Sequence, residues 1–229
     1  MDLERFKDIE HSESLTDAQE ALSLQLFGIG AIKFGEFRLK LHEKFPEAPL
    51  SPVYLDLRVL RRYPEVKETA VNAYIKLLKP LQFDLIADVP TGATPLVSSI
   101  SDKLGIGMIT PRTDSKEYGT GLKIDGMMEE DKGKTVVLID DVITLADSKF
   151  PAITLLKENG LAVRDVVVLV DREQGGRQQI KKAGLSLYSA LTISEIIYFC
   201  SGRGLISSIE RKRILKGLGK LNRFLYLRL

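Results

Sequence analysis

The chain has 229 residues, a length that fits one domain with a small appended segment. A hydrophobic share of 44% and a formal net charge of +2 are ordinary for a globular protein and give no reason to expect a nucleic-acid partner. The longest apolar runs are too short for a membrane span, and the one cysteine, Cys200, excludes an intrachain disulfide, so we expect a reducing, cytoplasmic compartment.

Apolar periodicity and turn residues divide the chain into helices and strands. A first helix is predicted at 17–27, capped by Thr16, and two strands follow at 34–39 and 52–57, separated by a proline-containing loop at 41–50. Further along, strands are predicted at 83–89, 107–110, 135–139, 166–170 and 185–190, and helices at 63–78, 94–104, 148–159, 176–183, 193–198 and 208–225.

Strands that alternate with helices predict an α/β fold with a mostly parallel central sheet flanked by helices. In such sheets ligands bind beyond the carboxyl ends of the strands. The residues that follow the predicted strands are therefore where chemistry is expected, namely 90–93, 140–148 and 171–173.

The segment 136–148, VVLIDDVITLADS, has two carboxylates at the end of an apolar strand and then a turn into a helix. Asp140 and Asp141 are suited to accept hydrogen bonds from vicinal sugar hydroxyls or to face a Mg²⁺ ion. The turn from Thr144 to Ser148 leads into a helix amino terminus, which favours a phosphate group. Spacing alone leaves open a simpler interpretation, in which the two aspartates only cap the turn.

This segment resembles the ribose-5-phosphate recognition motif of type I phosphoribosyltransferases. Further segments narrow the resemblance to orotate phosphoribosyltransferase, above all the form fused to a decarboxylase in UMP synthase, and they run in order from about residue 24 to residue 199. They are KFGEFRLK at 33–40, SPVYLDLR at 51–58, RTDSKEYG at 112–119 and DREQGG at 171–176.

The resemblance implies transfer of ribose 5-phosphate from phosphoribosyl pyrophosphate to orotate, with Mg²⁺ as cofactor. It implies that Asp140 and Asp141 hold the ribose hydroxyls, with a weak role in metal binding through water or substrate. Thr144 and Ser148 would hold the 5-phosphate, and Arg172 would pair with the orotate carboxylate as a bidentate donor.

Other implied roles lie outside that motif. Arg112 and Lys116 would neutralise pyrophosphate from a loop that reaches the neighbouring subunit, which implies a homodimer. Lys40 and Tyr54 would help to build the base pocket. The implied fold has a phosphoribosyltransferase core at 63–190, and a hood formed by an amino-terminal part at 1–62 and a helical carboxyl-terminal part at 191–229.

Three positions depart from the family pattern. Ala146 stands where glycine is usual, so a methyl group is expected near the phosphate at a position that normally uses the conformational freedom of glycine. Asp147 puts a carboxylate near the phosphate, a repulsion of roughly 1 kcal/mol per charge pair in water. Thr113 replaces a lysine of the loop.

Because of these departures, functions other than an active orotate phosphoribosyltransferase remain open. The main one is a catalytically impaired or inactive paralogue with a binding or regulatory role, and another is a phosphoribosyltransferase for a different base. The two histidines, His11 and His42, have no His or Cys at ligand spacing, which argues against a zinc site and a Ser-His-Asp hydrolase.

Overall fold

The computed structural model describes residues 15–112 and 123–228, and these divide into two compact units. One unit combines the chain up to Asp56 with the segment from Leu191 onward, and the other runs from Leu57 to Ala190. In the described ranges, no helix combines the length and the apolar run needed to cross a bilayer.

The first unit contains a two-stranded antiparallel sheet and its covering helices. Its elements are α1 (Asp17–Gly28), β1 (Ile32–Phe37), α2 (Leu41–Lys44), β2 (Ser51–Leu55), α7 (Ile193–Gly202) and α8 (Ser208–Tyr226). Thr16 caps α1 in a capping box with Gln19, and Thr192 and Ser207 form capping boxes that start α7 and α8. These side chains satisfy amides that a helix start leaves unpaired, so the helices begin where the sequence places a hydroxyl.

The second unit alternates strands and helices. It contains a 3₁₀ segment (Leu57–Arg62), α3 (Pro64–Leu78), β3 (Leu85–Asp88), α4 (Thr94–Leu104), β4 (Met108–Pro111), β5 (Ile124–Asp125), β6 (Thr135–Ile143), α5 (Lys149–Glu158), β7 (Ala162–Asp171), α6 (Gly176–Lys182) and most of β8 (Ser186–Thr192). Pro64 begins α3, where a missing amide hydrogen costs nothing.

Six strands of the described chain form one sheet in the order β5-β4-β3-β6-β7-β8. The pairs β3/β4, β3/β6 and β6/β7 are parallel, and the short β5 is antiparallel to β4. Alternate residues of β6 face opposite sides, so Val136 and Leu138 pack with Leu156 of α5 and Val137 and Ile139 face the other layer. The predicted α/β fold with a mostly parallel sheet flanked by helices is therefore confirmed.

The element boundaries differ from the predicted ones in three informative places. Strand β6 continues to Ile143, so the two aspartates lie inside the strand and not after it. The predicted loop at 41–50 begins with the one-turn helix α2, whose His42 is buried and hydrogen bonds to the main chain of Leu39 and Pro49. The strand predicted at 52–57 ends at Leu55, because the chain turns into 3₁₀ geometry at Leu57.

Candidate active site

Asp140 is held rigidly near the carboxyl end of β6. It is 5% exposed, and its Oδ1 accepts a hydrogen bond from the Asp141 amide at 2.8 Å while its Oδ2 lies 2.5 Å from the Nζ of Lys149. Its main-chain oxygen accepts a hydrogen bond from the phenol of Tyr74 at 2.7 Å. The carboxylate is therefore fixed by an amide on one oxygen and a cation on the other.

Asp141 alternates to the other side of the strand and has a different electrostatic environment. Burial, followed by the charge of Asp140, raises the pKa of Asp141 from its ordinary value to about 7, although Lys149 opposes the shift. Its carboxylate lies against Gly92, where a β-carbon would be 2.8 Å from Oδ2. The loop after β3 and the end of β6 therefore meet at this carboxylate.

The turn after β6 is tied to the loop that precedes α6. The amide of Ala146 donates to Oε1 of Gln179 at 2.7 Å, and the amide of Gly176 donates to the oxygen of Thr144 at 2.9 Å. Ala146 is fully buried and does not have a positive φ, so the expected need for glycine conformational freedom is wrong at this position. Asp147, the next residue of the turn, is exposed.

Lys149 contacts the candidate site, and the sequence alone did not single it out. It is the first residue of α5, is 3% exposed, and donates hydrogen bonds to the Val142 oxygen at 2.6 Å and to Oγ of Ser148 at 3.1 Å. A lysine at a helix start is usually solvated, and the helix dipole disfavours a cation there. This unfavourable position, directly after a turn of the kind that binds phosphate, is the one sequence feature that could have indicated a special role for Lys149.

Arg172 follows β7 and comes close to the same turn through the main chain. Its amide donates to the Ile143 oxygen at 2.9 Å, and its buried guanidinium donates from Nε to Oε1 of Gln174 at 2.8 Å. Asp171 supports the loop by accepting from Nε of Arg177 at 2.9 Å and from the Glu173 amide at 2.8 Å. Hydrogen bonds to the main-chain oxygen of Ile143 and to the Asp171 carboxylate thus hold the loop that carries Arg172.

Arg112 directly follows β4 and forms an ion pair with Asp125 of β5. Hydrogen bonding from Arg112 lowers the pKa of Asp125, so this carboxylate stays ionised. Arg112, Lys123 and Asp147 line one cavity of about 590 Å³, which places the base of the predicted pyrophosphate loop beside the turn. Lys116 and Thr113, which belong to that loop, lie outside the described residues.

The two predicted base-pocket residues belong to the first unit. Lys40 is exposed at the start of α2. Tyr54 is 36% exposed on β2, and its ring centre lies 5.6 Å from that of Phe37. Their role stays a prediction.

Another buried group holds the loop after β3. Asp88, the last residue of β3, is fully buried and accepts hydrogen bonds from the hydroxyl of Thr110 at 2.6 Å and from the hydroxyl of Thr94. These bonds join the ends of β3 and β4 to the start of α4. Sequence reasoning missed this cluster, because a carboxylate at a strand end is usually solvated.

The described residues do not form a protein-bound metal site. They contain no group of three or more His, Cys, Asp or Glu side chains that could hold an ion. Asp140 already uses both oxygens on Lys149 and a main-chain amide, which leaves Asp141 as the one member of the pair suited to a metal-bound water. The donor set fits an ion that arrives with a phosphate-bearing ligand better than a resident ion.

Comparison with known proteins found clear relatives, although no protein-family model matched the chain. An orotate phosphoribosyltransferase from Methanopyrus kandleri is 36% identical over 178 residues, which cover 78% of this chain and 91% of that protein. A UMP synthase structure from Leishmania donovani is 31% identical with a TM-score of 0.77, and the match covers 88% of this chain and 42% of that one.

An orotate phosphoribosyltransferase structure from Aeropyrum pernix also matches. It is 26% identical with a TM-score of 0.66, and the match covers 77% of this chain and 97% of that one. Identity above one third across nearly the whole Methanopyrus protein, together with the matching folds, decides the assignment. The chain belongs to the orotate phosphoribosyltransferase family, a group of type I phosphoribosyltransferases.

Proposed function

We propose that this chain transfers the 5-phosphoribosyl group of phosphoribosyl pyrophosphate to a ring nitrogen of orotate, giving orotidine 5′-monophosphate and pyrophosphate in pyrimidine biosynthesis. The supporting observation is the convergence of Asp140, Asp141, the 144–148 turn and Arg172 at the carboxyl edge of one parallel sheet. The family assignment favours this activity over the inactive paralogue.

The roles of the residues follow from charge development in the reaction. Positive charge builds on the ribose as the bond to pyrophosphate breaks, and fixed carboxylates beside the sugar stabilise it. We assign the ribose hydroxyls to Asp140 and Asp141, the 5-phosphate to the amides and hydroxyls of the turn between Thr144 and Ser148, and the orotate carboxylate to Arg172.

The remaining assignments extend this proposal. Arg112 and Lys116 neutralise the leaving pyrophosphate, and Lys40 and Tyr54 help to bind the base. We propose that Mg²⁺ enters as a complex with phosphoribosyl pyrophosphate, because the described carboxylates do not form a metal site. The cytoplasmic location and the hood formed by the two ends of the chain stay predictions.

The homodimer with a loop acting in trans is also a proposal. Size-exclusion chromatography with light scattering tests the dimer. Mixing inactive Lys116→Ala with inactive Arg172→Ala tests the trans arrangement, because mixed dimers would contain one complete site and recover up to about a quarter of the activity. No recovery in proven mixed dimers would place the loop in its own subunit.

The activity is tested by adding phosphoribosyl pyrophosphate, Mg²⁺ and orotate to the purified chain, and following orotate absorbance and pyrophosphate release. Loss of orotate with stoichiometric pyrophosphate is the expected result, and adenine, hypoxanthine and uracil should give no comparable turnover. Arg172→Lys keeps the positive charge and loses the bidentate geometry, so it should retain measurable turnover with a raised KM for orotate. Titration calorimetry that shows binding of phosphoribosyl pyrophosphate without turnover on orotate would overturn the proposal.

A further inference from the structure

The side chain of Lys149 is a buried cation surrounded by oxygen atoms of three residues. Its Nζ forms an ion pair with Oδ2 of Asp140 at 2.5 Å and donates hydrogen bonds to the Val142 oxygen at 2.6 Å and to Oγ of Ser148 at 3.1 Å. Lys149 thus joins the strand end, the turn and the helix start at one point.

Stability alone does not explain a lysine at this position. The side chain is 3% exposed, and removing a charge pair of this kind from water costs about as much as the attraction returns. A pair of apolar or neutral side chains of similar volume would hold the strand and helix together at least as well. The ion pair is therefore better explained by how it orients the side chains that contact Lys149.

Two of the groups around Lys149 are the Asp140 carboxylate and the Ser148 hydroxyl, which the proposed function assigns to different parts of one substrate. That function assigns Asp140 to the ribose hydroxyls and Ser148 to the 5-phosphate. Because Lys149 donates into Oγ of Ser148, the serine hydroxyl is directed to donate its own hydrogen elsewhere. Donation from an ammonium group also polarises the hydroxyl and makes it a stronger donor.

The composition of the turn makes such a cation useful. The turn has Ala146 buried and Asp147 exposed, and Asp147 adds a negative charge beside the phosphate position. Lys149 brings an ammonium group to the end of this turn, where its Nζ lies 3.1 Å from Oγ of Ser148.

We propose that Lys149 is a positioning residue for the ribose 5-phosphate part of the substrate, acting by orienting the Asp140 carboxylate and the Ser148 hydroxyl at the same time. This inference rests on the proposed function for the identity of the substrate. It predicts that loss of Lys149 weakens the recognition of phosphoribosyl pyrophosphate and spares the recognition of the base.

The central variant is Lys149→Met, which keeps an unbranched side chain one atom shorter and removes the charge. The KM for phosphoribosyl pyrophosphate should rise about tenfold or more, whereas the KM for orotate should change less than about threefold. Lys157→Met, on the exposed face of the same helix, is the matched control and should change neither constant. Lys149→Arg should recover part of the loss, because it restores a cation.

A second variant separates positioning from folding. Lys149→Met leaves Asp140 charged and unpaired, which is destabilising, and Asp140→Asn in the same chain removes that charge. The double variant should therefore regain stability against urea. It should still bind phosphoribosyl pyrophosphate more weakly than Asp140→Asn alone, because the Ser148 hydroxyl has lost its donor. If the double variant and Asp140→Asn bound this substrate equally well, Lys149 would have no role beyond pairing with Asp140 and the proposal would be wrong.

Ser148→Ala tests whether Lys149 acts on substrate binding through the serine hydroxyl. If Lys149 acts partly through the serine hydroxyl, Ser148→Ala and Lys149→Met together should weaken binding less than the sum of the two single changes. Strict additivity would overturn the link between the two side chains.

Calorimetric affinities for phosphoribosyl pyrophosphate, measured on the wild type and every variant, separate this inference from the proposed activity. A wild type that binds this substrate and does not consume orotate refutes the activity alone. A wild type and Lys149→Met with equal affinities refute the role of Lys149 alone. A wild type that binds no phosphoribosyl pyrophosphate refutes both.

Discussion

The phenol of Tyr74 in α3 donates a 2.7 Å hydrogen bond to the main-chain oxygen of Asp140 in β6. Tyr74 is fully buried, and burial, followed by the charges of Asp141 and Asp140, raises its pKa well above the ordinary value, so the phenol remains a donor. The bond fixes the backbone of the strand between its two carboxylates. A helix on one layer of the fold thereby supports the backbone of the candidate site.

Replacing Tyr74 by Phe should lower the free energy of unfolding by about 1–3 kcal/mol, because it leaves a buried carbonyl oxygen without its donor. Urea denaturation monitored by circular dichroism measures the change. Tyr226→Phe is the matched control, since Tyr226 is 79% exposed, and it should stay within about 0.5 kcal/mol of the wild type. Equal stability of the two variants would mean that the Tyr74 hydrogen bond contributes nothing.

The fold of this chain was largely predictable because its signals are local. The buried part of β7, residues 166–170, is an apolar run of four valines and one leucine. Helix α4 ends at a glycine with φ near 64°, Gly105. The one-turn helix at Leu41–Lys44 escaped prediction, because its buried histidine is held by main-chain atoms on both sides of it and not by periodicity.

The position of the candidate site was predictable and its internal bonding was not. The rule that ligands bind beyond the carboxyl ends of parallel strands led to Asp140, Asp141 and the turn before Ser148. It could not indicate that Lys149 is buried, because the partners that neutralise a buried lysine come from a folded strand and turn. Gln179, which holds the Ala146 amide, lies 33 residues away and was missed for the same reason.

The raised pKa of Asp141 predicts a pH dependence of stability. An unfolded aspartate ionises near pH 4, whereas the folded one ionises near pH 7, so the folded chain binds one more proton within this window. Stability therefore falls as the pH rises from about 4 to 7, by up to about 1.4 kcal/mol per pH unit from this group alone. Asp141→Asn cannot ionise and should lack this part of the loss.

The measurement is the difference in unfolding free energy between Asp141→Asn and the wild type at pH 5, 6, 7 and 8. The asparagine variant should gain on the wild type as the pH rises to about 7, and the difference should then level off. Asp102→Asn, an exposed position on α4, is the control and should show no such trend. A difference that is constant across this range would mean that Asp141 ionises normally.

Gly92→Ala should impair the candidate site without unfolding the protein. Its β-carbon would lie 2.8 Å from Oδ2 and 3.3 Å from Cγ of Asp141, so the carboxylate must shift. Displacements of this size at a binding group cost about tenfold to a hundredfold in rate, and we expect a loss of that order in kcat/KM. Gly28→Ala in α1 is the control, because its added β-carbon would meet no atom within 4 Å. Full activity of Gly92→Ala would mean that Asp141 can move without effect.

Asp147→Asn should strengthen the binding of phosphoribosyl pyrophosphate. The exposed carboxylate lies in the phosphate turn, where it repels a phosphate by roughly 1 kcal/mol, so its removal should tighten the Kd about fivefold. Because Asp147 is exposed, the gain should shrink when the ionic strength rises from 0.05 to 0.5 M. Titration calorimetry at both salt concentrations measures this, with Asp102→Asn as a charge-matched control that should not respond. If Asp147→Asn bound the substrate no better at low salt, the Asp147 carboxylate would not repel the phosphate. Its charge would then be neutralised by Arg112 and Lys123, which line the same cavity.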